Sequence, residues 1–252
     1  MERIKSLKGK KKICALTCYD YPMAKILNQA DIDMLLVGDS LGMVVFGYGN
    51  THFVTLDDII CSTQAVMRGN KDALVVADMP ITTCDTKESA LRNCLKVVKE
   101  TSVRAVKIEG KAEIVVEVVK AGINVLGHAG LKPQEVNKFK IQGTDDESRK
   151  NILKEALDIE KAGAFALILE CVPEDLGKEI TEKLKIPVIG IGAGRFTDGQ
   201  ILVLHDILGL SFDIKPKFVR KYADLSGIVE QAAMRFKGDV EEGKYPKVGE
   251  VY

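Results

Sequence analysis

Residues 34–40 read MLLVGDS. An apolar run without alternation that stops at Gly-Asp-Ser is the pattern of a strand buried on both faces, with a carboxylate delivered at its exit. The same arrangement recurs along the chain: residues 74–78 (LVVAD), 105–109 (AVKIE) and 165–170 (FALILE) each close on an acid. Further short apolar runs at 13–18, 123–127, 187–191 and 201–204 bring the strands to eight, the one at 201–204 being the least distinct. His128 stands at the exit of the fifth.

Helical patterns lie between these runs. Pro22 opens a segment with apolar residues at Met23, Ile26 and Leu27; Thr55 and Asp58 have the spacing of a capping box, and Gly69 is a stop. Asp85 or Thr86 can cap the next helix, Ile114, Val115 and Val118 make another helical face, and residues 147–162 form a helix closing at Gly163. Pro173 suits a first helical position, followed by Leu176, Ile180 and Leu184. The glycines at 42, 47 and 49 favour a structured loop over 41–51, a wall or lid, rather than a helix. Residues 131–146 read as a functional or oligomer-contact loop. From residue 211 on, the helical pattern at 226–237 reads as an extension.

Strands alternating with helices, with acids and an imidazole at the C-terminal ends of several different strands, predict an α/β fold, a (βα)8 TIM barrel with its chemistry at one mouth. An open doubly wound sheet would gather that chemistry at a single switch point. The length of 252 residues fits one such domain spanning 1–252, with a short basic N-terminal tail over 1–12 and the C-terminal helical extension.

Lys plus Arg and Asp plus Glu both number 36, which argues against a nucleic-acid or anionic-lipid partner and favours a small-molecule substrate. No run reaches the roughly 18 apolar residues of a membrane helix. The six cysteines form no CxxC pair, as expected for free thiols in the cytoplasm.

Asp39, Asp78 and Glu109 are oxygen donors on neighbouring strands, a set suited to Mg2+ rather than zinc; singly, each could instead cap a helix or pair with a base. Lys107 shares a strand face with Glu109 and can meet a substrate carboxylate beside Ser40, or serve a structural ion pair. His128 is a substrate contact whose role as ligand, acid or hydrogen-bonding group stays open. Glu170, on an apolar strand across the barrel from the trio, is the candidate general base, with a helix-cap role as its alternative. Cys171 reads as a buried thiol. The glycines of 190–194 (GIGAG) fit either an anion site or close turn packing.

Taken in order, the motifs MLLVGDSLGMVVFGY, VVADMP, VKIEG, VLGHAGLKPQ, LILECVP, IPVIGIGAG and TDGQILVLHDILG resemble the ketopantoate hydroxymethyltransferase family over nearly the whole chain. The resemblance implies a barrel of the phosphoenolpyruvate mutase/isocitrate lyase type. It implies transfer of a hydroxymethyl group from 5,10-methylene-tetrahydrofolate, or methylene-tetrahydromethanopterin, to 3-methyl-2-oxobutanoate, giving 2-dehydropantoate on the route to pantothenate and coenzyme A. By the same resemblance Asp39, Asp78 and Glu109 hold Mg2+ directly or through water. Ser40 and Lys107 bind the oxoacid together with the aspartates, and Glu170 accepts the proton. A homo-oligomer, commonly a decamer, is implied as well. The segment 136–142 (VNKFKIQ) departs from the family in lacking a glycine pair and in being shorter, and GHAGL varies the usual third residue but keeps His128. Two other readings are another Mg-dependent carbon–carbon lyase or mutase acting on a 2-oxoacid, whose KKCGH loop is absent here, and a non-catalytic metabolite-binding barrel.

Overall fold

The computed structural model describes residues 1–134, 140–212 and 216–252. Eight parallel strands close into a barrel in sequence order: β1 (Ile13–Thr17), β2 (Met34–Val37), β3 (Leu74–Asp78), β4 (Ala105–Glu109), β5 (Asn124–Gly130), β6 (Ala166–Glu170), β7 (Val188–Ile191) and β8 (Gly199–Leu202). The helices are α1 (Glu2–Leu7), α2 (Tyr21–Gln29), α3 (Leu41–Val44), α4 (Leu56–Gly69), α5 (Lys87–Thr101), α6 (Ala112–Lys120), α7 (Asp146–Lys161), α8 (Glu174–Lys183), α9 (Leu204–Leu208) and α10 (Leu225–Glu241). The chain forms two compact units, 1–203 and 204–252; the barrel is the first, and the second carries α9 and α10. Among the described residues no helix is long and apolar enough to cross a membrane.

Alternation along each strand sorts the side chains. Ile13, Ala15, Met34, Leu36, Val76, Ala105, Leu126, Ala166, Ile168, Ile189 and Ile201 belong to one buried apolar cluster. The next residues of the same parity on β3, β4, β5 and β6 are Asp78, Lys107 with Glu109, His128 and Glu170, so apolar layers at the base give way to a charged layer at the C-terminal end. Register fixes the neighbours: Asp78 pairs with Lys107, Glu109 with His128, and Gly130 with Glu170.

Four features differ from the sequence reading. The basic N-terminal segment is no solvated tail: α1 folds against the barrel, Ile4 is 1% exposed within the apolar cluster, Arg3 pairs with buried Asp33 at 2.9 Å, and Lys8 pairs with Asp198 at 2.6 Å. Met1, Ile4 and Leu7 do stand at helical i, i+3 spacing and pack on the cluster, but a six-residue helix dense in cations is too short to hold itself, so its tertiary contacts decide it. Strand β8 begins at Gly199, two residues earlier than its apolar run, because it closes the barrel against Ile13. Strand β5 continues to Gly130, which places His128 inside the strand rather than at its exit. The loop expected at 41–51 opens with the short α3 before turning back on itself.

Elsewhere the local signals hold. Thr55 and Asp58 form the capping box of α4, Thr86 rather than Asp85 caps α5, and Pro173 sits one residue ahead of its expected helical position, as the N-cap of α8. Part of the 136–142 departure lies outside the described residues.

Candidate active site

Strands β2, β3 and β4 bring Asp39, Asp78, Lys107 and Glu109 together at the mouth, all of them buried. The Lys107 ammonium donates to both Asp78 oxygens, at 2.9 and 2.8 Å, and to Glu109 Oε1 at 3.2 Å. The Asp39 backbone N–H donates to Asp78 Oδ2 at 3.3 Å. Burial alone would lower the Lys107 pKa, but the Asp78, Glu109 and Asp39 carboxylates reverse that and hold it above the ordinary value. Lys107 is therefore a fixed ammonium.

The carboxylates are pushed the other way. Burial raises Asp39 and Glu109, and raises Asp78 to about 6, each against the pull of Lys107. Three buried carboxylates share one ammonium, so the site carries excess negative charge in a poorly solvated place, which a cation relieves. Among the described residues no three His, Cys, Asp or Glu side chains already converge as a complete metal site. Such a cation would be held by one or two carboxylates directly and by the others through water, the manner of Mg2+. The donor set fits that ion.

His128 lies between Glu109 and Glu170. Its Nε2 is 2.6 Å from Leu131 O, and a carbonyl only accepts, so Nε2 carries the proton and Nδ1 presents a lone pair. Nδ1 has no hydrogen-bond partner and stands 3.9 Å from Glu109 Oε1, while Nε2 is 3.6 Å from Glu170 Oε2. Burial, and then Lys107, lower the imidazole pKa to about 3, so these are contacts of a neutral ring and not ion pairs.

Glu170 ends β6, and through His128 it lies close to Glu109, nearer to the acid trio than a place across the barrel suggests. Its side chain is 16% exposed; burial first, and Glu109 second, raise its pKa to about 8. Directly after it Cys171 takes a left-handed backbone, φ 49°, which turns the chain as Glu170 leaves the strand. Cys171 is half-buried rather than buried as its sequence context implied, and burial and Glu170 push its thiol up to about 12, away from the thiolate that a nucleophile needs. Ser40, the residue after Asp39, shares a hydrogen bond with the Tyr19 hydroxyl at 2.9 Å.

Two participants escaped the sequence reading. Gln134 donates from Nε2 to Asp39 Oδ2 at 3.1 Å and to Met79 O at 3.0 Å, and its backbone N–H donates to Glu109 Oε2 at 3.4 Å. Tyr19 holds Ser40. Gln134 closes the quoted motif VLGHAGLKPQ and Tyr19 follows the run at 13–18, but the partners of both are remote in sequence. The 190–194 glycines are explained by packing: a Cβ on Gly190 would meet Thr197 Oγ1 at 2.8 Å and one on Gly194 would meet Glu174 Cγ at 2.5 Å. Glu174 Oε2 also accepts from the Arg195 N–H at 3.2 Å, an acid where an anion site would need bases.

The mouth thus holds a fixed ammonium, a carboxylate cluster suited to a hard cation, and a separate carboxyl that keeps its proton at neutral pH. That combination can bind a small anion with adjacent oxygens and move a proton at an adjacent carbon.

Comparison with known proteins agrees with this chemistry. Residues 1–248 match the family described as ketopantoate hydroxymethyltransferase. A 3-methyl-2-oxobutanoate hydroxymethyltransferase of Thermotoga sp. (strain RQ2) is 47% identical over 253 residues, covering 98% of this chain and 93% of the relative. One from Pyrobaculum calidifontis is 48% identical over 246 residues, covering 95% and 92%. Among solved structures, the fold is shared with phosphonopyruvate hydrolase in complex with oxalate and Mg2+ (TM-score 0.68, 11% identity, covering 99% of this chain and 92% of that one). It is shared too with 2,3-dimethylmalate lyase, a member of the PEP mutase/isocitrate lyase superfamily (TM-score 0.63, 15% identity, 98% and 90%).

Proposed function

The chain belongs to the ketopantoate hydroxymethyltransferase family, and from that premise we propose how its barrel mouth transfers a hydroxymethyl group to 3-methyl-2-oxobutanoate, giving 2-dehydropantoate for pantothenate biosynthesis. The observation that carries the assignment of roles is the placement of two kinds of carboxyl group: a cluster hydrogen-bonded around Lys107, and Glu170 on β6, outside those hydrogen bonds and 3.6 Å from His128 Nε2.

Asp39, Asp78 and Glu109 would hold Mg2+, which when bound supplies positive charge to the adjacent ketone and carboxylate oxygens of the oxoacid. Lys107 adds a second, permanent positive charge on the same side, and Ser40, oriented by Tyr19, donates its hydroxyl to the substrate carboxylate. Glu170, in its ionised form, takes the C3 proton. Its raised pKa makes it a strong enough base for a weakly acidic carbon, and burial keeps bulk water from competing. His128, neutral and with Nδ1 as an acceptor, orients a donor group between Glu109 and Glu170 without adding charge. The carbon nucleophile then attacks the methylene of a reduced pterin donor, 5,10-methylene-tetrahydrofolate or its methanopterin counterpart. Water supplies the hydroxyl oxygen, and tetrahydropterin leaves.

The test is exchange of the C3 proton of 3-methyl-2-oxobutanoate in D2O, followed by NMR with and without Mg2+ and without any pterin. Exchange that requires Mg2+ and is lost in Glu170→Gln supports the assignment; exchange unchanged in that variant removes Glu170 as the base. The same reading includes assembly of several copies of the chain, which light scattering measures, and a cytoplasmic setting, which the six unpaired cysteines support.

A further inference from the structure

Residues 46–53 carry a feature that proton transfer at the acid cluster does not use. The rings of Phe46 and Tyr48 meet edge to face with centroids 5.6 Å apart, and those of Tyr48 and Phe53 do so at 5.7 Å. The three residues are nevertheless 41%, 39% and 64% exposed. Three linked aromatic rings left in water are costly to solubility unless something covers them in use.

Their position is fixed by the backbone. The Tyr48 N–H donates to Gly42 O at 2.8 Å, and the Gly42 N–H donates to Asp39 O at 3.0 Å. A Cβ on Gly42 would collide with Val54 Cγ2 at 2.5 Å and press on the Tyr48 ring at 3.3 Å, so the ring lies directly on the turn that begins at Ser40. At the other end His52 Nε2 is 3.3 Å from Pro133 O, and the residue after Pro133 is Gln134, which holds Asp39. The aromatic segment is thus fastened at the exits of both β2 and β5. Between those exits lie β3 and β4, whose ends carry Asp78, Lys107 and Glu109. The segment that carries the rings is tied to the strand exits that flank the acid cluster.

We propose that Phe46, Tyr48 and Phe53 are the platform on which the planar pyrimidinone ring of the tetrahydropterin donor stacks, with its methylene turned down towards the oxoacid. The proposal rests on the hydroxymethyltransferase reading and names the donor subsite that reading requires. A flat ring with polar edges and an apolar face is recognised by stacking on aromatic side chains. Holding the donor at the rim also converts its encounter with the carbon nucleophile into a local event.

The experiment uses the full-length protein with 5,10-methylene-tetrahydrofolate. In the double variant Tyr48→Leu, Phe53→Leu the KM for that donor rises about tenfold or more, an effect of stacking lost from exposed rings. The pterin-free exchange half-reaction stays within about twofold of the parent protein. Because the chain contains no Trp, Phe53→Trp supplies a single indole, whose fluorescence tetrahydrofolate quenches at concentrations near the donor KM while that KM stays near the parent value. A donor KM unchanged in the double variant, or an indole that tetrahydrofolate leaves unquenched, overturns the proposal. So does a double variant whose only change is a smaller assembly by light scattering, which would mark the patch as a contact between copies. Absence of exchange in the parent protein would instead count against the catalytic assignment, and quenching would still decide the platform.

Discussion

Lys107 holds the mouth together because it is the ammonium among three buried carboxylates, bonded to two of them. Removing it leaves those charges uncompensated in a poorly solvated place. Lys107→Met is expected to cost about 3–5 kcal/mol, read as a fall in the urea midpoint at neutral pH; a midpoint shifted by less than a quarter of that would contradict the ion-pair account. Glu170 makes a prediction of opposite kind. Its folded pKa of about 8 lies above the ordinary 4.5, so between those values the native protein binds more protons than the unfolded chain, and stability falls as pH rises through that window. On the proposed function activity runs the other way, since Glu170 as the base must be ionised: the exchange rate is expected to climb with pH and level off above the Glu170 pKa. Glu170→Gln should lower exchange by about 10²–10⁴-fold and flatten this part of the stability profile. A rate independent of pH between 6 and about 8 in the parent protein would argue that another group takes the proton. At this scale the sequence showed which residue types converge, since each acid ends an apolar run. It did not show Gln134, whose partner Asp39 is 95 residues away, nor the neutral state of His128, which depends on Leu131 O and on burial.

At the scale of elements, the strands read most closely were those that are continuous apolar runs, whether or not they end in an acid: β1 and β7 were also expected within a residue of their observed bounds. Strands β3 and β4 were expected at their observed bounds, and β2 and β6 within a residue, because both faces are buried and the burial signal is continuous. Strand β8 resisted because it starts with Gly199 and Gln200, which are not apolar. The glycine has a physical reason: a Cβ there would meet Ile13 O at 2.5 Å and Ile13 Cβ at 2.6 Å, where β8 closes on β1. Gly199→Val is therefore expected to force the two strands apart and to destabilise by about 1–3 kcal/mol. Thermal melts of the variant and the parent protein measure this directly, and equal melting temperatures would refute the close approach. Helix α4 was legible for the opposite reason: its capping box is local, with Asp58 N–H donating to Thr55 Oγ1 at 3.2 Å and Thr55 N–H donating to Asp58 Oδ2 at 2.8 Å.

On the scale of the barrel as a whole, the apolar packing and the charged layer occupy opposite ends. The apolar layers and α1 form the base, and the charged layer forms the mouth. Ile4→Ala at the base is expected to lower stability by about 2–5 kcal/mol with kcat and both KM values unchanged below the melting range. A variant that instead lost activity at full stability would show that the two ends are coupled. Such a division is what the barrel permits: groups on several strand ends can be placed for chemistry while the packing that holds them lies elsewhere. The N-terminal helix was read as a tail although Met1, Ile4 and Leu7 have i, i+3 spacing, because so short a helix depends on contacts remote in sequence, Ile4 with the apolar cluster and Arg3 with Asp33.

A base sealed by α1 and apolar layers makes the barrel a well with one opening. On the proposed function the small oxoacid sits at the depth of the acid cluster, and a donor on the rim lies above it. Access is then a matter of sequence in time. The oxoacid enters first and the new, larger keto acid leaves last, after the pterin has cleared the opening. Steady-state kinetics should follow a compulsory order: 2-dehydropantoate competes with 3-methyl-2-oxobutanoate, while tetrahydrofolate inhibits in a mixed manner against either substrate. Purely competitive inhibition by tetrahydrofolate against its methylene form would mean that the two substrates enter independently.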